Sequence, residues 1–340
     1  MKFTAAREAL LKPLQAVIGV VERRQTMPIL SNVLLVAKDG QLSVTATDLE
    51  VELVAQADVE TESGGEITVS GRKLLDICRA LPEGSSIEVS ASGEKLTVKA
   101  GRSRFNLATL PAAEFPVVDD IKAGQAIVVS QSVLARLFEK THFSMAQQDV
   151  RYYLNGLLVE TGGGQLRAVA TDGHRLALCQ ANVDGKLDEQ QVIVPRKGVL
   201  ELQRLMTGEG DLNIELGSNH IRIQLDGIRF TSKLIDGRFP EYERVIPKES
   251  SNELKADRGA FKGALQRTAI LSNEKYRGIR LVIRDSGVVL QAHNPEQEEA
   301  EEELEVEYSG EDIEIGFNVN YLLDALGAVE GDEVTLSVQD

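Results

Sequence analysis

Apolar and polar positions along this chain follow two periods in turn. A helical period predicts amphipathic helices over Ala5–Val21, Ser130–His142 and Asp257–Thr268. Each is followed by strict alternation, as in Gln41–Ala46 and Gln165–Ala170, which predicts half-buried strands. The helical period then returns over Arg72–Ala80, Arg196–Met206 and Asn318–Ala328. Further strands close each unit, with turns at Ser92-Gly93-Glu94 and Leu225-Asp226-Gly227. Two helices against antiparallel sheets is an α+β arrangement.

The pattern recurs because the sequence does. Gly40-Gln41-Leu42-Ser43-Val44-Thr45-Ala46-Thr47-Asp48 matches Gly164-Gln165-Leu166-Arg167-Ala168-Val169-Ala170-Thr171-Asp172, and the two aspartates lie 124 positions apart. A third version starts at Gly287 and runs through His293-Asn294-Pro295. Val69-Ser70-Gly71-Arg72-Lys73 pairs with Val194-Pro195-Arg196-Lys197 and with Phe317-Asn318-Val319-Asn320 at similar spacing. Several blocks at one offset define three tandem copies of one domain, with expected bounds 1–122, 123–249 and 250–340. Linkers are expected near Asp119–Gly124 and Pro247–Asn252. The third copy stops at a position matching Gly217, so it is expected to be incomplete at its C-terminus.

Composition changes little in this picture. At 340 residues, with 42% hydrophobic and 26% charged residues, the chain is ordinary multi-domain globular material. No apolar run approaches the roughly 20 residues needed to span a bilayer, and the N-terminus does not open a signal peptide, so the expected location is the cytoplasm. Cys78 and Cys179 lie in apolar-periodic segments and read as buried reduced thiols.

Charge changes more. The net charge of −16 argues against a polyanionic partner only until it is mapped. The six helices, the first extended to Arg24, hold 15 Lys and Arg against 7 Asp and Glu, whereas the rest of the chain is strongly acidic. Glutamate forms helices as well as lysine does, so propensity does not explain the bias. A shared helical surface facing a polyanion does, through sequence-independent phosphate contacts. The chain ends differ as well. Glu296, Glu299 and Glu302 belong to an acidic run in the third copy, while Lys73, Arg102 and Arg104 flank Phe105 in the first. That polarity suits head-to-tail association closing into a ring, with Ile270 and Leu271 as apolar partners for Phe105.

Catalytic chemistry finds little support. No nucleophile elbow, phosphate loop or metal-ligand spacing occurs, and Gly162-Gly163-Gly164 reads as a hairpin turn. Asp172-Gly173-His174 could suggest an acid/base pair acting on a polyanionic substrate, but no nucleophile accompanies it. A repeat scaffold that binds only proteins through its acidic face is a further alternative. No cofactor and no metal are expected.

Longer blocks sharpen the choice. Phe143-Ser144-Met145-Ala146-Gln147-Gln148-Asp149-Val150-Arg151-Tyr152-Tyr153-Leu154-Asn155-Gly156, Ala170-Thr171-Asp172-Gly173-His174-Arg175-Leu176, Asp236-Gly237-Arg238-Phe239-Pro240, Ile270-Leu271-Ser272-Asn273-Glu274-Lys275 and Asn294-Pro295-Glu296-Gln297-Glu298-Glu299-Ala300 resemble the bacterial DNA polymerase III beta subunit, the replicative sliding clamp. The similarity runs from Met1 to Asp340. It implies a head-to-tail homodimer that encircles double-stranded DNA, helices inward and sheets outward, without catalytic residues of its own. It implies as partners the clamp loader, the replicative polymerase and other proteins carrying a clamp-binding motif. By position, the resemblance assigns DNA contact to Arg24, Arg72, Gln148, Tyr152 and Tyr153, with Lys197 as an addition. It assigns a partner-peptide pocket to Leu154, Thr171, Gly173, His174, Arg175, Leu176, Pro240, Arg244 and Val245. In the family the last residues complete that pocket, and this sequence stops at Asp340, ahead of them.

Overall fold

The first strand shows how long-range pairing overrides a local period. The computed structural model describes residues 1–21, 27–118, 121, 123–247, 251–285 and 287–339. The helix expected from Ala5 begins only at Arg7, because Lys2–Ala6 is a strand. It pairs antiparallel with Ser86–Ser92, setting Phe3 opposite Val89 and Ala5 opposite Ile87. Phe3 and Ala5 are both buried, so the alternation that matters here has period two. Arg7 closes the corner: its amide donates to the Ser85 carbonyl at 2.8 Å and its Nε to the Cys78 carbonyl at 2.8 Å.

The six helices stand close to where periodicity put them. They are α1 (Arg7–Val17), α2 (Gly71–Ala80), α3 (Gln131–Glu139), α4 (Arg196–Leu205), α5 (Arg258–Thr268) and α6 (Val319–Ala328). Side-chain caps fix several starts: Asp257 accepts the Ala260 amide at 2.7 Å and Asn318 the Asn320 amide at 2.9 Å. The basic bias is not evenly shared, since α6 carries no Lys or Arg and its charge is Asp324.

Clustering of contacts divides the chain into two compact units. The first comprises Met1–Phe138, Gln147–Ala168 and Gln180–Gly237. It holds a sheet of thirteen strands that runs without a break through the first two repeats. The seam is the pairing of Ile228–Lys233 with Val51–Asp58, in register Ile228 to Ala55, Phe230 to Leu53 and Ser232 to Val51. Phe230 and Leu53 are fully buried there. Strands Gly156–Gly162 and Gln190–Pro195 pair antiparallel, Leu157 facing Val194. At the expected hairpin, Gly163 and Gly164 take φ of 59° and 77°, the left-handed pair that a tight two-residue turn requires.

The second unit comprises Glu139–Ala146, Val169–Cys179 and Arg238–Asp340. One sheet orders Glu299–Glu305, Gly287–His293, Gly278–Arg284 and Ile313–Asn318, and another places Asn252–Asp257 between Glu307–Ser309 and Glu333–Val338. Leu254, Phe261, Leu265, Leu281, Ile283, Val288 and Leu290 fill its core. Of the two expected linkers, residues 119, 120, 122 and 248–250 lie outside the described residues. The strands that follow are Ala123–Ser130 and Asn252–Asp257. Neither cysteine forms a disulfide among the described residues; Cys78 is buried as expected, but Cys179 is only half-buried.

Candidate nucleic-acid, partner and subunit contact sites

The basic residues at the second-helix N-termini are less free than their sequence suggests. Lys197 opens α4 and forms an ion pair with Asp48, whose side chain is 5% exposed. Arg72 folds back so that Nη2 donates to the Val21 carbonyl at 2.6 Å, while its buried Nε has no hydrogen-bond partner among the described residues. Arg24 lies outside the described residues. Arg204 of α4 donates to the Gln15 and Ala16 carbonyls at 3.2 and 2.6 Å, satisfying the end of α1.

Gln148, Tyr152 and Tyr153 share one short loop held by its own side chains. The Asn155 amide donates to the Asp149 carbonyl and accepts its N–H, both at 2.9 Å. Arg151 donates to the Asp149 carboxylate through Nε and Nη2 at 3.0 and 2.8 Å. Gln148 adopts φ of 56°, a strained conformation for a residue with a Cβ. Tyr152 is 56% exposed and meets Tyr153 edge to face, ring centroids 5.7 Å apart. Gly237 lies beside them, where an added Cβ would come within 3.3 Å of the Tyr152 ring and of the Tyr153 Cβ. The loop thus presents an amide and a phenol on a rigid base, groups suited to phosphate contact.

The corner at Thr171–Leu176 is rigid for a different reason. Thr171 Oγ1 donates to the Arg175 carbonyl at 2.7 Å and accepts the Gly173 amide, while Asp172 Oδ1 accepts the amides of His174 and Arg175. The equivalent corner of the first repeat is built identically: Thr47 to the Val51 carbonyl, Asp48 Oδ1 to the amides of Glu50 and Val51. Asp172 therefore caps a turn and pairs with Arg175; its hydrogen bond with His174 is to the backbone, not the imidazole. Arg175 also donates to Asp324 at 2.5 Å and to the Phe143 carbonyl at 2.8 Å, and its guanidinium lies 4.6 Å from the Tyr321 ring centroid. Asp324, Tyr321 and Phe143 carried no sequence signal, being distant residues that only folding brings to Arg175. His174, Pro240 and Arg244 are exposed, Val245 is 68% exposed, and Leu176 is half-buried. Leu154 is buried at 2% exposure, so in this structure it offers no open wall.

Two strand edges carry the residues expected at a subunit contact. Ser103–Leu110 pairs along its length with Lys95–Ala100, but on the other side only Thr109 and Leu110 meet a partner, Val69 and Thr68. Lys73, Arg102 and Arg104 are exposed and Phe105 is half-buried. Glu299–Glu305 ends its sheet. Its residues alternate, with Glu299, Glu301, Glu303 and Glu305 exposed. Glu302 is also engaged within its own chain, where Arg267 donates to it through two bonds of 2.5 and 2.7 Å. That donation holds the Glu302 carboxyl below the usual carboxylate range. Glu296 is exposed, Ile270 is 75% exposed and Leu271 half-buried. Among the described residues, no cluster of three or more metal-binding side chains occurs, and no helix is long and apolar enough to cross a membrane.

Comparison with known proteins finds three family domains in succession along the chain. Residues 1–119, 128–241 and 243–340 match the N-terminal, central and C-terminal domains of the DNA polymerase III beta subunit. A beta sliding clamp of Pseudomonas putida is 57% identical over 100% of this chain and 94% of its own length. That of Escherichia coli K12 is 53% identical over 100% and 93%. The crystal structure of a Pseudomonas aeruginosa sliding clamp bound to griselimycin superposes with a TM-score of 0.97 at 56% identity, covering 100% of this chain and 93% of that one. The Caulobacter crescentus beta subunit gives 0.95 at 42% identity, covering 100% and 94%.

Proposed function

Because the chain belongs to the bacterial DNA polymerase III beta subunit family, the DNA sliding clamps that serve as polymerase processivity factors, we propose the residues through which it closes its ring and holds its partners. The carrying observation is the seam between the first two repeats, where Val51–Asp58 pairs with Ile228–Lys233. Its counterparts among the open strand edges are Glu299–Glu305 and Ser103–Leu110. The hairpin-closing pairs Lys38–Gln41 and Arg284–Gly287 set Gln41 level with Gly287, one residue off the sequence match, and so Thr47 level with His293. Thr47 faces Glu52 and His293 faces Glu299, so Glu299 takes the place of Glu52. Arg104-Phe105 takes the place of Arg229-Phe230. The seam's register, Thr231 to Glu52 and Phe230 to Leu53, then sets Asn106 opposite Glu299 of a second copy, Phe105 opposite Ala300, and Arg104 opposite Glu301.

This register keeps faces together. Half-buried Phe105 meets half-buried Ala300, and exposed Arg104 meets exposed Glu301. A slip of one residue would set Phe105 against a glutamate, since the side-chain period is two. Lys73 lies 124 positions before Lys197, which pairs with the Asp48 corner. Lys73 accordingly faces the corner at Asn294–Glu298 of the second copy. Glu296, Glu299 and Glu302 lie on or beside that edge, with Arg102, Ile270 and Leu271 completing the contact. Glu301 joins the set, although sequence alone did not single it out.

Arg72, Gln148, Tyr152 and Tyr153, with Arg24, contact the DNA backbone, and Lys197 contributes while paired with Asp48. Thr171, Gly173, His174, Arg175, Leu176, Pro240, Arg244 and Val245, with Leu154, form the partner-peptide site, the place where griselimycin would bind this chain. The domains run 1–122, 123–249 and 250–340. The chain acts in the cytoplasm without catalytic residues of its own, a reading supported by the use of Asp172 as a turn cap.

Engineered cysteines test the ring. Asn106→Cys with Glu299→Cys should cross-link two copies under oxidation, while Asn106→Cys with Glu301→Cys should not. The cross-linked ring should stay on nicked circular DNA and leave it after linearisation. Preferential cross-linking of the 106–301 pair, or equal retention on both DNA forms, would overturn the assignment.

A further inference from the structure

Arg175 is the most heavily engaged side chain at the partner-peptide corner, and each of its three guanidinium nitrogens is already donating. Nε goes to Asp172 at 3.2 Å, Nη1 to Asp324 at 2.5 Å and Nη2 to the Phe143 carbonyl at 2.8 Å. The guanidinium also lies over Tyr321 at 4.6 Å and near the Phe143 ring at 5.6 Å. Two carboxylates neutralise it, and its side chain is only 20% exposed. A guanidinium so engaged fixes geometry more than it offers a donor to a ligand.

Of these partners, Asp172 and Phe143 belong to the second repeat, whereas Asp324 and Tyr321 lie on α6 of the third. The first repeat's corner reaches the next repeat directly, Asp48 to Lys197 at the head of α4. At the second repeat the corner aspartate instead holds an arginine, which reaches an aspartate on the following repeat's second helix. The relay therefore ties the backbone carrying Gly173, His174 and Leu176 to α6.

We propose that Asp324 is a positioning residue for the partner-peptide site and acts through Arg175. This rests on the assignment of that site to Thr171–Leu176 and Pro240–Val245. Without the Asp324 carboxylate the guanidinium loses one of its two charge partners, and the corner that displays His174 and Leu176 is no longer held in its binding geometry. Positioning of this kind acts on ligand affinity without a ligand contact.

The full chain titrated with griselimycin by calorimetry separates the possibilities. Asp324→Asn should weaken binding by about tenfold. Arg175→Ala combined with Asp324→Asn should bind no more weakly than Arg175→Ala alone, because both act through one group. Glu330→Gln is the structural control: it removes a pair with Lys140 near the end of α6 without touching Arg175 and should leave affinity unchanged. Retention on circular DNA should be unaltered in all of them. Equal binding by Asp324→Asn and Glu330→Gln, or losses that simply add in the double variant, would overturn the proposal. Val245→Asp isolates the underlying assignment: unimpaired binding there would sink the site itself. Lost binding there with Asp324→Asn unaffected would sink only the role of Asp324.

Discussion

Asp48 and Lys197 join two repeats through an ion pair in which the carboxylate is almost completely buried. Asp48 also accepts the Glu50 and Val51 amides, at 2.9 and 2.7 Å, so its charge is compensated from two directions. Removing Lys197 leaves a buried carboxylate with backbone donors alone, and breaking a buried pair costs more than the pair contributes. Lys197→Met should lower unfolding stability by about 1–3 kcal/mol in urea titrations. Adding Asp48→Asn should recover part of that loss. An unchanged urea midpoint for Lys197→Met would show the pair to be energetically idle.

Gln148 separates backbone strain from ligand contact. Its φ of 56° disfavours any side chain, most of all a β-branched one. Gln148→Val should destabilise by about 1–2 kcal/mol, whereas Gln148→Gly should leave thermal stability equal or slightly higher. If Gln148 contacts phosphate, Gln148→Gly will nevertheless bind primed DNA more weakly at low salt. Undiminished binding would remove Gln148 from the DNA-contact set.

Glu302 and Arg267 give an acid-side pH dependence of known sign. The folded-state pKa of Glu302 is lowered, first by the hydrogen bond from Arg267. A depressed carboxyl pKa adds stability that is complete above the unfolded value, about 4.3. That stability is lost as pH falls through the folded value. The stability difference between the native chain and Glu302→Gln should thus be flat from about pH 6 to 8 and shrink below about pH 4. A difference that grew on acidification would contradict the pairing.

The two thiols should react in sequence. Burial pushes the Cys78 thiol up to about 11 and leaves it 0% exposed, so at pH 8 it is both protonated and shielded. Cys179 is half-buried. Ellman titration of the native chain should modify Cys179 first, and Cys78 should follow only under denaturant. Modification of both at one rate in native buffer would argue against the packing around α2.

Sequence alone determined the threefold repeat, the α+β class, the six helices and the turns, because each is written in periods or residue types a few positions long. Gly163 and Gly164 had to make a turn, and Leu74, Leu75 and Cys78 had to face a core. Tertiary structure decided whatever depends on partners far along the chain. Ala5 and Ala6 became strand because Ser86–Ser92 offered an edge. Arg72 and Lys197, basic residues beside helix starts in sequence, became a backbone tether and half of an ion pair. Arg175 found Asp324 across 149 positions. A hydrophobic period fixes which face of an element is buried, but not which distant carboxylate or carbonyl waits at its rim. That pairing depends on how repeats abut, and the abutment is encoded in strand edges whose register exists only once both strands are folded.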